Sequence, residues 1–464
     1  MNHDDLNEWA KRAADWARDY HAGLRTRPVR PNLEPGEFLA RIQRPVPEEP
    51  EPIAAIFDDF TRLVPDAMTH WQHPRFFAYF PANAAPASML AEQLANAMAA
   101  QAMLWQTSPA AAEMEALTVD WLRDALGLPD DFTGTIHDSA TTATFSAVLT
   151  MRERALGFAG LGEGLAGQPR LRLYASAQNH SSIDKAARLS GIGQDNLVKI
   201  PVRVGDPLHS IDPQALDAAI RADRAAGFLP VGVILVTGGT GIGACDDIAA
   251  GVAVAHRHRL PVHVDAAWAG SAMICSEFRT LWHGVEAADS VVFNPHKWLG
   301  AQFDCSVQFL RDPAPQIRTM GLRPDYLQTQ GAEEIVNYNE WTLPLGRRFR
   351  ALKLWFLLRA EGLSGLRGRI RNHVAWAREA CEALRAVPGV TIASEPILSL
   401  FSFRLANDAA TAELLDRINR DGRIYLTQTT HEDTFVIRVQ VGQFDCRRED
   451  VMEIPKIVNE MVEK

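Results

Sequence analysis

Short runs of β-branched and apolar residues alternate with helical stretches between about residue 134 and residue 311, and this alternation most restricts how the chain can fold. The helical stretches carry start and stop signals, of which the clearest is Asp212 followed by Pro213, with Gly227 beyond the end. Strands separated by helices are typical of a mostly parallel sheet with helices on its faces, an α/β fold. The predicted strands are residues 171–175, 197–202, 231–237, 261–265, 290–293 and 305–310, after a first strand that begins near residue 134.

The regions on either side of this alternation have other patterns. In the first predicted helix, apolar and aromatic residues recur at helical spacing and form a stripe on one face, which needs a partner surface. Its members are Leu6, Trp9, Ala13, Trp16 and Tyr20. The proline-rich residues 45–52 are predicted to be an extended connector, and a helix at 351–359 with strand-like runs at 398–405 and 435–441 indicates a smaller α+β domain. The predicted divisions are an N-terminal helical segment (1–80), a large α/β domain (81–350) and a small C-terminal α+β domain (351–464).

The composition argues against several classes of protein. The 464 residues carry a formal net charge of -10 without a basic stripe, so nucleic-acid binding has no electrostatic support. The five cysteines are widely spaced and include no C-x-x-C pair, which disfavours a disulfide framework or a metal site. The polar, acidic N-terminus does not resemble a secretory signal, and no long uncharged apolar run occurs. We therefore expect a cytoplasmic protein without a membrane segment.

One lysine stands out among the basic residues. Only seven of the 47 basic residues are lysine, and Lys297 alone among them is taken to lie between apolar and aromatic neighbours, just after the predicted strand 290–293. Burial disfavours the ammonium form and lowers the pKa of a lysine, and the neutral amine is the form that attacks a carbonyl to make a Schiff base. The alternative is a structural lysine that reaches from a strand end to water.

Polar groups also follow the first two strands of the predicted sheet, at the edge where open α/β folds bind ligands. After the first strand, the segment from Asp138 through Ser139 and Ala140 to Thr141 leads into a helix, whose N-terminus suits a phosphate or is an ordinary N-cap. After the second strand, His180 reaches the same edge, either as a catalytic group or as a surface histidine.

An acid follows another strand. Asp265 ends a predicted buried strand and precedes Ala266 and Ala267. A buried carboxylate needs a cation or several donors, and a protonated pyridine nitrogen would be such a cation, with the small alanines letting a flat ring lie close. Backbone N–H groups in a turn could satisfy it equally. Taken together, a phosphate site, an acid and a lysine at one sheet edge predict a pyridoxal phosphate site.

A glycine-rich turn supports a rival hypothesis. Gly239, Gly241 and Ala244 match the pattern G-x-G-x-x-[GA] between a predicted strand and a helix, and Asp265 lies 26 residues after Gly239, near where a ribose-binding acid belongs. The pattern therefore allows an NAD-dependent dehydrogenase. Several predicted strands precede the turn, however, whereas this fingerprint usually opens its domain. A purely structural turn is the third interpretation.

Four longer segments resemble the pyridoxal-phosphate-dependent group II amino acid decarboxylases, most closely the aromatic-L-amino-acid (DOPA) decarboxylases. They are residues 294–299, 263–267, 76–81 and 344–350, and the similarity runs from near residue 5 to the C-terminus. The resemblance implies PLP fold type I, the aspartate-aminotransferase-like architecture. It also implies a carboxy-lyase whose small-molecule substrate is an aromatic L-amino acid, and a homodimer with active sites at the interface, where the N-terminal segment packs on the partner.

The resemblance assigns roles to site residues. It places the cofactor aldehyde on Lys297, the pyridine nitrogen beside Asp265 and the ring against His180. Around the phosphate it places Ser139, Ala140, Thr141, Asn294 and His296, and beside the ring Thr240 and Ala267. Tyr326, in a loop at 321–327, would donate the proton that completes decarboxylation.

The resemblance also implies an aromatic substrate pocket. Its expected members are Trp71, Tyr79, Phe80, Pro81, Ala82, Gln101, Met103 and Gly346, with Gln101 and Met103 reaching in from the other subunit. Ala82, Gln101 and Met103 depart from the usual residues, as do Gly241 and Ile242 after Thr240. The preferred acid therefore stays open among DOPA, tyrosine, phenylalanine, tryptophan and 5-hydroxytryptophan. Gly346 argues against a histidine decarboxylase, which has a serine there.

A second activity occurs in the same family. The related aromatic aldehyde synthases combine decarboxylation with oxidative deamination, and they depart from the decarboxylases at the loop tyrosine or the stacking histidine. Tyr326 and His180 both match the decarboxylases. The sequence therefore favours simple decarboxylation, with the aldehyde synthase as the alternative.

Overall fold

The computed structural model describes residues 1–42, 46–322 and 335–463 of the chain. These divide into two compact units: Met1–Pro81, Trp376–Ala393 and Ser402–Lys464 form the first, and Ala82–Ala375 with Ser394–Phe401 form the second. The first unit groups the N-terminal segment with C-terminal residues, whereas the boundaries predicted near residues 80 and 350 would place these two parts of the chain in separate domains. Those boundaries stay a prediction.

Thirteen α-helices are assigned within these described ranges. They are α1 (His3–Gly23), α2 (Ile53–Leu63), α3 (Pro86–Ala97), α4 (Pro109–Leu126), α5 (Ala140–Ala155), α6 (Gly160–Glu163), α7 (Ser182–Leu189), α8 (Pro213–Ala225), α9 (Ile248–Arg257), α10 (Ala314–Met320), α11 (Arg350–Arg385), α12 (Asp408–Asp421) and α13 (Arg448–Val462). The predicted start of α8 is confirmed, because the Asp212 carboxylate accepts hydrogen bonds from the N–H groups of Gln214 (2.8 Å) and Ala215 (3.1 Å). Gly227 follows its end with a φ of 83°.

The strands form two sheets. They are β1 (Thr133–His137), β2 (Leu171–Ser176), β3 (Leu197–Ile200), β4 (Leu229–Val236), β5 (Val262–Asp265), β6 (Ser290–Phe293), β7 (Ser306–Leu310), β8 (Thr391–Ile397), β9 (Leu400–Arg404), β10 (Thr427–His431) and β11 (Thr434–Gln440). The larger sheet has the order β1-β7-β6-β5-β4-β2-β3, and the smaller, antiparallel at its β10-β11 pair, has the order β10-β11-β9-β8. The predicted α/β class is confirmed.

The larger sheet is parallel apart from one strand. β3, β2, β4, β5 and β6 pair in parallel, while β7 is antiparallel to both β6 and β1. β1 therefore runs in the same direction as β6. Every residue of β5 and β6 is buried, as expected for strands that helices cover on both faces. The carboxyl ends of β1, β2, β4, β5 and β6 consequently share one edge.

The N-terminal aromatic stripe is part of the first unit. Trp9 of α1 lies 5.3 Å from Phe57 of α2, and Trp16 lies 5.0 Å from Phe60, measured between ring centroids. α2 therefore supplies one surface for the stripe, although no residue of α1 becomes fully buried. Packing of this segment on a second subunit stays a prediction. Among the helices of the described ranges, none combines the length and hydropathy needed to cross a bilayer.

Candidate active site

The shared sheet edge brings the sequence-predicted groups of five strands together. Ser139 follows β1, His180 follows β2, Thr240 follows β4 and Asp265 ends β5. Lys297 lies in the turn that follows β6. Open α/β sheets bind ligands at the carboxyl ends of their strands, where helix N-termini and loops meet. The polar residues named from the sequence lie at this edge.

The charges of both Asp265 and Lys297 affect the pKa of His180. Burial lowers the pKa of the imidazole most; the Asp265 carboxylate raises it and the Lys297 ammonium lowers it. Nδ1 of His180 accepts a hydrogen bond from the Ser182 N–H (3.1 Å) and lies 2.9 Å from the Ser182 hydroxyl. Because Nδ1 is an acceptor, the neutral ring carries its proton on Nε2. The three groups form one electrostatic cluster with a neutral imidazole.

Asp265 is buried, with 5% of its surface exposed. One carboxylate oxygen accepts a hydrogen bond from the Ala267 N–H (3.0 Å). The other oxygen has no hydrogen-bond partner among the residues that the structure describes. A buried carboxylate with an open acceptor position suits a cationic N–H donor.

The turn that carries Lys297 is held firmly by its backbone and its neighbours. Residues Pro295–Leu299 form a single π-helical turn, which Gly300 ends at a φ of 110°. The Asn83 side chain donates to the Lys297 carbonyl (2.7 Å). Trp298 stacks on Trp268, with ring centroids 5.1 Å apart. The Lys297 backbone is therefore anchored while its side chain is only half-buried.

The predicted phosphate residues have hydrogen-bonding capacity to spare. Ser139 caps α5 by accepting from the Thr142 N–H (3.2 Å), which leaves the N–H groups of Ala140 and Thr141 in the first helical turn for a ligand. Burial lowers the pKa of His296 to about 3. Its Nδ1 accepts from the Cys305 N–H (2.9 Å), so its Nε2–H can donate.

The Asn294 carboxamide adds to this group. Its Oδ1 is buried and has no partner among the described residues, and the Asn294 N–H donates to the Ala267 carbonyl (2.9 Å). A helix N-terminus and a neutral histidine N–H are donors that suit a phosphate, whereas the Asn294 amide could donate only through Nδ2 because its unpartnered Oδ1 is an acceptor. The residues around this edge therefore fit a phosphate-bearing ring with a basic nitrogen and an aldehyde.

The glycine-rich turn does not have the geometry of a dinucleotide fingerprint. The N–H groups of Gly238 and Gly239 both donate to the Ala244 carbonyl (2.9 and 2.8 Å), and the Asp246 N–H donates back to Val236 of β4 (2.8 Å). The next helix begins only at Ile248. The predicted order of strand, turn and helix is therefore confirmed, but the turn folds back onto its own strand and no glycine opens the helix, unlike a dinucleotide fingerprint.

The predicted substrate residues fall in both units. In the first unit, Trp71 and Tyr79 lie nearly parallel with centroids 5.9 Å apart, and the Arg438 guanidinium donates to the Tyr79 carbonyl (2.7 Å) and lies 5.1 Å from the Phe80 ring. Pro81 ends this unit and is buried. Trp71 and Tyr79 are exposed and form a stacked pair, whereas Phe80 is buried.

The remaining substrate residues belong to the second unit. Gln101 Oε1 accepts from the Arg347 N–H (2.6 Å), and its Nε2 lies 3.1 Å from the point where Gly346 would carry a Cβ. The Met103 carbonyl accepts from the Asn339 N–H (3.2 Å), and Ala82 is half-buried. Gln101 and Gly346 are therefore neighbours within one chain. Whether Gln101 and Met103 serve a second subunit stays a prediction, and Tyr326 lies outside the described residues.

Two buried features escaped the sequence analysis. Lys353 is only 1% exposed and its Nζ lies 2.6 Å from the Glu92 carboxylate, so Lys297 is not alone among apolar neighbours. Leu352 and Leu354 flank Lys353 in the sequence and could have shown this. The second feature is the buried pair of Glu115 and Arg347, for which the sequence offers no local signal.

The pair of Glu115 and Arg347 holds β1 in place. Glu115 Oε1 accepts from Arg347 Nη2 (2.6 Å), the Ile136 N–H (2.9 Å) and the Thr135 hydroxyl (2.9 Å). Arg347 Nη2 also donates to the Ile136 carbonyl (2.8 Å). Both side chains are almost fully buried, at 2% and 1% exposure. The strand that leads to Ser139 therefore depends on a desolvated ion pair.

Replacing Glu115 by alanine is expected to lower the free energy of unfolding by about 3–5 kcal/mol, because the Arg347 charge would stay buried without its partner. Urea denaturation measures this change. Arg12→Gln, which removes an exposed i,i+4 pair with Glu8, is the control and should cost less than about 0.5 kcal/mol. Equal losses in both variants would contradict the assigned role of Glu115.

The chain matches the family model described as Pyridoxal-dependent decarboxylase conserved domain over residues 35–406. It is 36% identical over 457 residues to aromatic-L-amino-acid decarboxylase of Sus scrofa, covering 95% of this chain and 93% of that protein. It is 32% identical over 476 residues to phenylacetaldehyde synthase of Arabidopsis thaliana, covering 99% and 96%. A solved structure of Oryza sativa TDC with PLP and tryptamine matches with a TM-score of 0.96 at 33% identity, covering 100% of this chain and 98% of that one.

Proposed function

We propose that this chain, which belongs to the pyridoxal-dependent decarboxylase family and uses pyridoxal 5'-phosphate as its cofactor, converts an aromatic L-amino acid to the corresponding arylalkylamine and carbon dioxide. The observation that carries the proposal is the electrostatic cluster of His180, Asp265 and Lys297 at the sheet edge. When bound, the cofactor supplies a conjugated ring that accepts the electron pair released as the bond from Cα to the carboxylate breaks.

The three clustered residues have separate tasks in this proposal. Lys297 would hold the cofactor covalently through its Nζ. The Asp265 oxygen that Ala267 does not engage would accept a hydrogen bond from the ring nitrogen and would favour its protonated form, which would make the ring a better electron acceptor. His180, neutral and held by Ser182, covers one face of the ring. A neutral imidazole adds no positive charge that would repel the protonated ring nitrogen.

The remaining cofactor residues orient the ring. In the proposal the phosphate accepts hydrogen bonds from Ser139, Ala140, Thr141, Asn294 and His296. Thr240 and the small Ala267 lie beside the ring. Holding the phosphate at a helix N-terminus fixes the reacting carbon relative to Lys297, since the phosphate and the aldehyde lie on one rigid ring.

An aromatic substrate is the best-supported class. The first unit presents the exposed rings of Trp71 and Tyr79, on which a flat ring can stack, and the buried Phe80 follows Tyr79 in the chain. The sequence resemblance also names Pro81, Ala82, Gln101, Met103 and Gly346 as substrate residues, and this assignment stays a prediction. The comparison proteins named for aromatic amino acids point the same way. Gly346 leaves room where a larger residue would meet Gln101.

A substrate panel tests this proposal. The PLP-loaded enzyme would be given DOPA, tyrosine, phenylalanine, tryptophan and 5-hydroxytryptophan, with leucine and glutamate as non-aromatic comparisons. We expect carbon dioxide and the arylalkylamine in equal amounts from at least one aromatic acid. Release of carbon dioxide only from the non-aromatic acids would contradict the aromatic assignment.

The aldehyde synthase is the second candidate, because phenylacetaldehyde synthase of Arabidopsis thaliana covers nearly the same length of this chain at 32% identity. The two activities differ in their products. A synthase would consume oxygen and release the aldehyde, ammonia and hydrogen peroxide along with carbon dioxide. Aldehyde and peroxide formed in step with carbon dioxide would favour the synthase over our proposal.

Replacing Tyr326 by phenylalanine is expected to lower amine formation by about 10²–10⁴-fold, because the phenol is the proposed donor of the proton to Cα. Cofactor binding should be unchanged, which the visible absorbance of the bound cofactor reports. Tyr20→Phe, which removes a phenol that is hydrogen-bonded to His70, is the control. An unchanged rate of amine formation in Tyr326→Phe would remove Tyr326 from the proposed mechanism.

A further inference from the structure

A cavity of about 540 Å³ lies at the opposite edge of the larger sheet from Lys297. The first residues of β4 and the residues just before β5 line it, and α5, α8 and α9 end beside it. Its volume is within the range of small-molecule sites. The catalytic proposal uses none of its residues.

The lining of this cavity combines cationic and apolar residues. Among the described residues, four arginines and no carboxylate line it: Arg154, Arg224, Arg257 and Arg259. His258 also lines it, and its apolar residues are Ala155, Leu229, Pro230, Val231, Leu260 and Pro261. A concentration of guanidinium groups is unexpected in a chain with a formal net charge of -10.

Neighbouring acids neutralise only two of the four arginines. Arg154 Nη1 lies 2.8 Å from Asp289, and Arg257 Nη2 lies 3.5 Å from Asp217. Arg224 donates instead to the His258 carbonyl (2.6 Å), which is a neutral acceptor. The Arg259 side chain forms no ion pair or hydrogen bond within the described residues and is exposed. Two guanidinium charges therefore have no carboxylate partner.

Helix dipoles explain part of this arrangement. A helix C-terminus carries roughly half a negative charge, so cations in the last turns of α5, α8 and α9 are favourable. Arg259 lies beyond the end of α9, however, with a φ of 55°. Helix ends also do not supply oxygen pairs that match the planar N–H fork of a guanidinium.

We propose that this cavity binds an organic phosphate monoester. The two guanidinium groups without carboxylate partners match the two negative charges of such an ester, and arginine forks pair well with phosphate oxygens. The apolar residues of the cavity would cover the organic group. The site is separate from the cofactor phosphate residues, which lie at the carboxyl ends of the strands.

Titration calorimetry of the PLP-loaded enzyme with phenyl phosphate tests this proposal. Saturation with cofactor keeps the phosphate residues around Ser139 occupied. We expect the double variant Arg224→Gln, Arg259→Gln to bind phenyl phosphate at least about tenfold more weakly, since each charged hydrogen bond contributes about as much as that ratio or more. Arg420→Gln, an exposed arginine on α12, is the matched control and should bind as the wild type does.

The phosphate charge and the organic group should each contribute to the affinity. Inorganic phosphate should bind more weakly than phenyl phosphate, and added salt should weaken both. Equal affinity in the double variant, no binding by the wild type, or displacement of phenyl phosphate by the amino acid substrate would each overturn the proposal. Arg259→Gln alone guards against misfolding, because that side chain has no ion pair to lose; its affinity should fall between those of the wild type and the double variant.

Discussion

Lys297→Arg is expected to abolish covalent retention of the cofactor and to reduce decarboxylation by about three orders of magnitude or more, the scale seen when a covalent catalytic group is removed. The arginine keeps a positive charge in the π-helical turn but cannot act as a neutral amine at any accessible pH. Borohydride reduction followed by peptide mass mapping measures retention. In the wild type we expect the cofactor mass on the peptide that contains Lys297.

Lys353 makes this a demanding test, since it is a fully buried lysine of the same unit. Its Nζ is held by the Glu92 carboxylate at 2.6 Å, so it is not free to attack a carbonyl. Lys199→Arg, whose ion pair with Asp184 an arginine can preserve, is the control and should retain the cofactor. An adduct on Lys353, or full retention in Lys297→Arg, would overturn the assignment of Lys297.

Asp265→Asn is expected to lower kcat by about 10²–10³-fold, the usual effect of removing one preorganised electrostatic group from an active site. The amide has nearly the same shape as the carboxylate and can still accept from the Ala267 N–H, so the fold of the turn should persist. It carries no charge, and a protonated ring nitrogen would then lose its counterion. Cofactor affinity should fall for the same reason. Stopped assays of carbon dioxide release and spectrophotometric titration with the cofactor measure the two effects.

Asp312→Asn provides the matched control, because Asp312 is an exposed carboxylate that caps the Ala314 N–H just after β7, away from the edge that carries Lys297. It should leave both kcat and cofactor affinity unchanged. Wild-type kcat in Asp265→Asn would show that the ring nitrogen does not need the Asp265 charge. The proposed electrostatic role of Asp265 would then be wrong.

Local sequence patterns predicted the secondary structure around the site well. The strand at 290–293 was predicted with the bounds of β6, and that at 261–265 begins one residue before β5. The start of α8 followed from Asp212 and Pro213 alone. These elements depend on β propensity, capping and proline geometry, which act between residues close in the chain. For the same reason the polar groups at the strand ends could be named.

Contacts between distant segments could not be predicted in this way. Glu115 and Arg347 are 232 residues apart and have no local signal. The glycine-rich turn matched a dinucleotide pattern, yet its hydrogen bonds return to β4 through Asp246. The antiparallel direction of β7 also depends on its pairing with β1 and β6. Each of these outcomes is a long-range choice among segments that have similar local preferences.

The order of the amino acids alone determined this protein's α/β class, most strand and helix positions, and the chemical types of residue at the strand ends. These features could be predicted because hydrophobic periodicity and turn chemistry act between residues close in the chain. Only the tertiary structure decided that His180, Asp265 and Lys297 share one electrostatic environment, that Lys353 is buried beside Glu92, and that four arginines surround a cavity at the far edge of the sheet. Those facts depend on which strands pair and in which direction, and the free energy of that pairing comes from burial and hydrogen bonds between residues far apart in the chain.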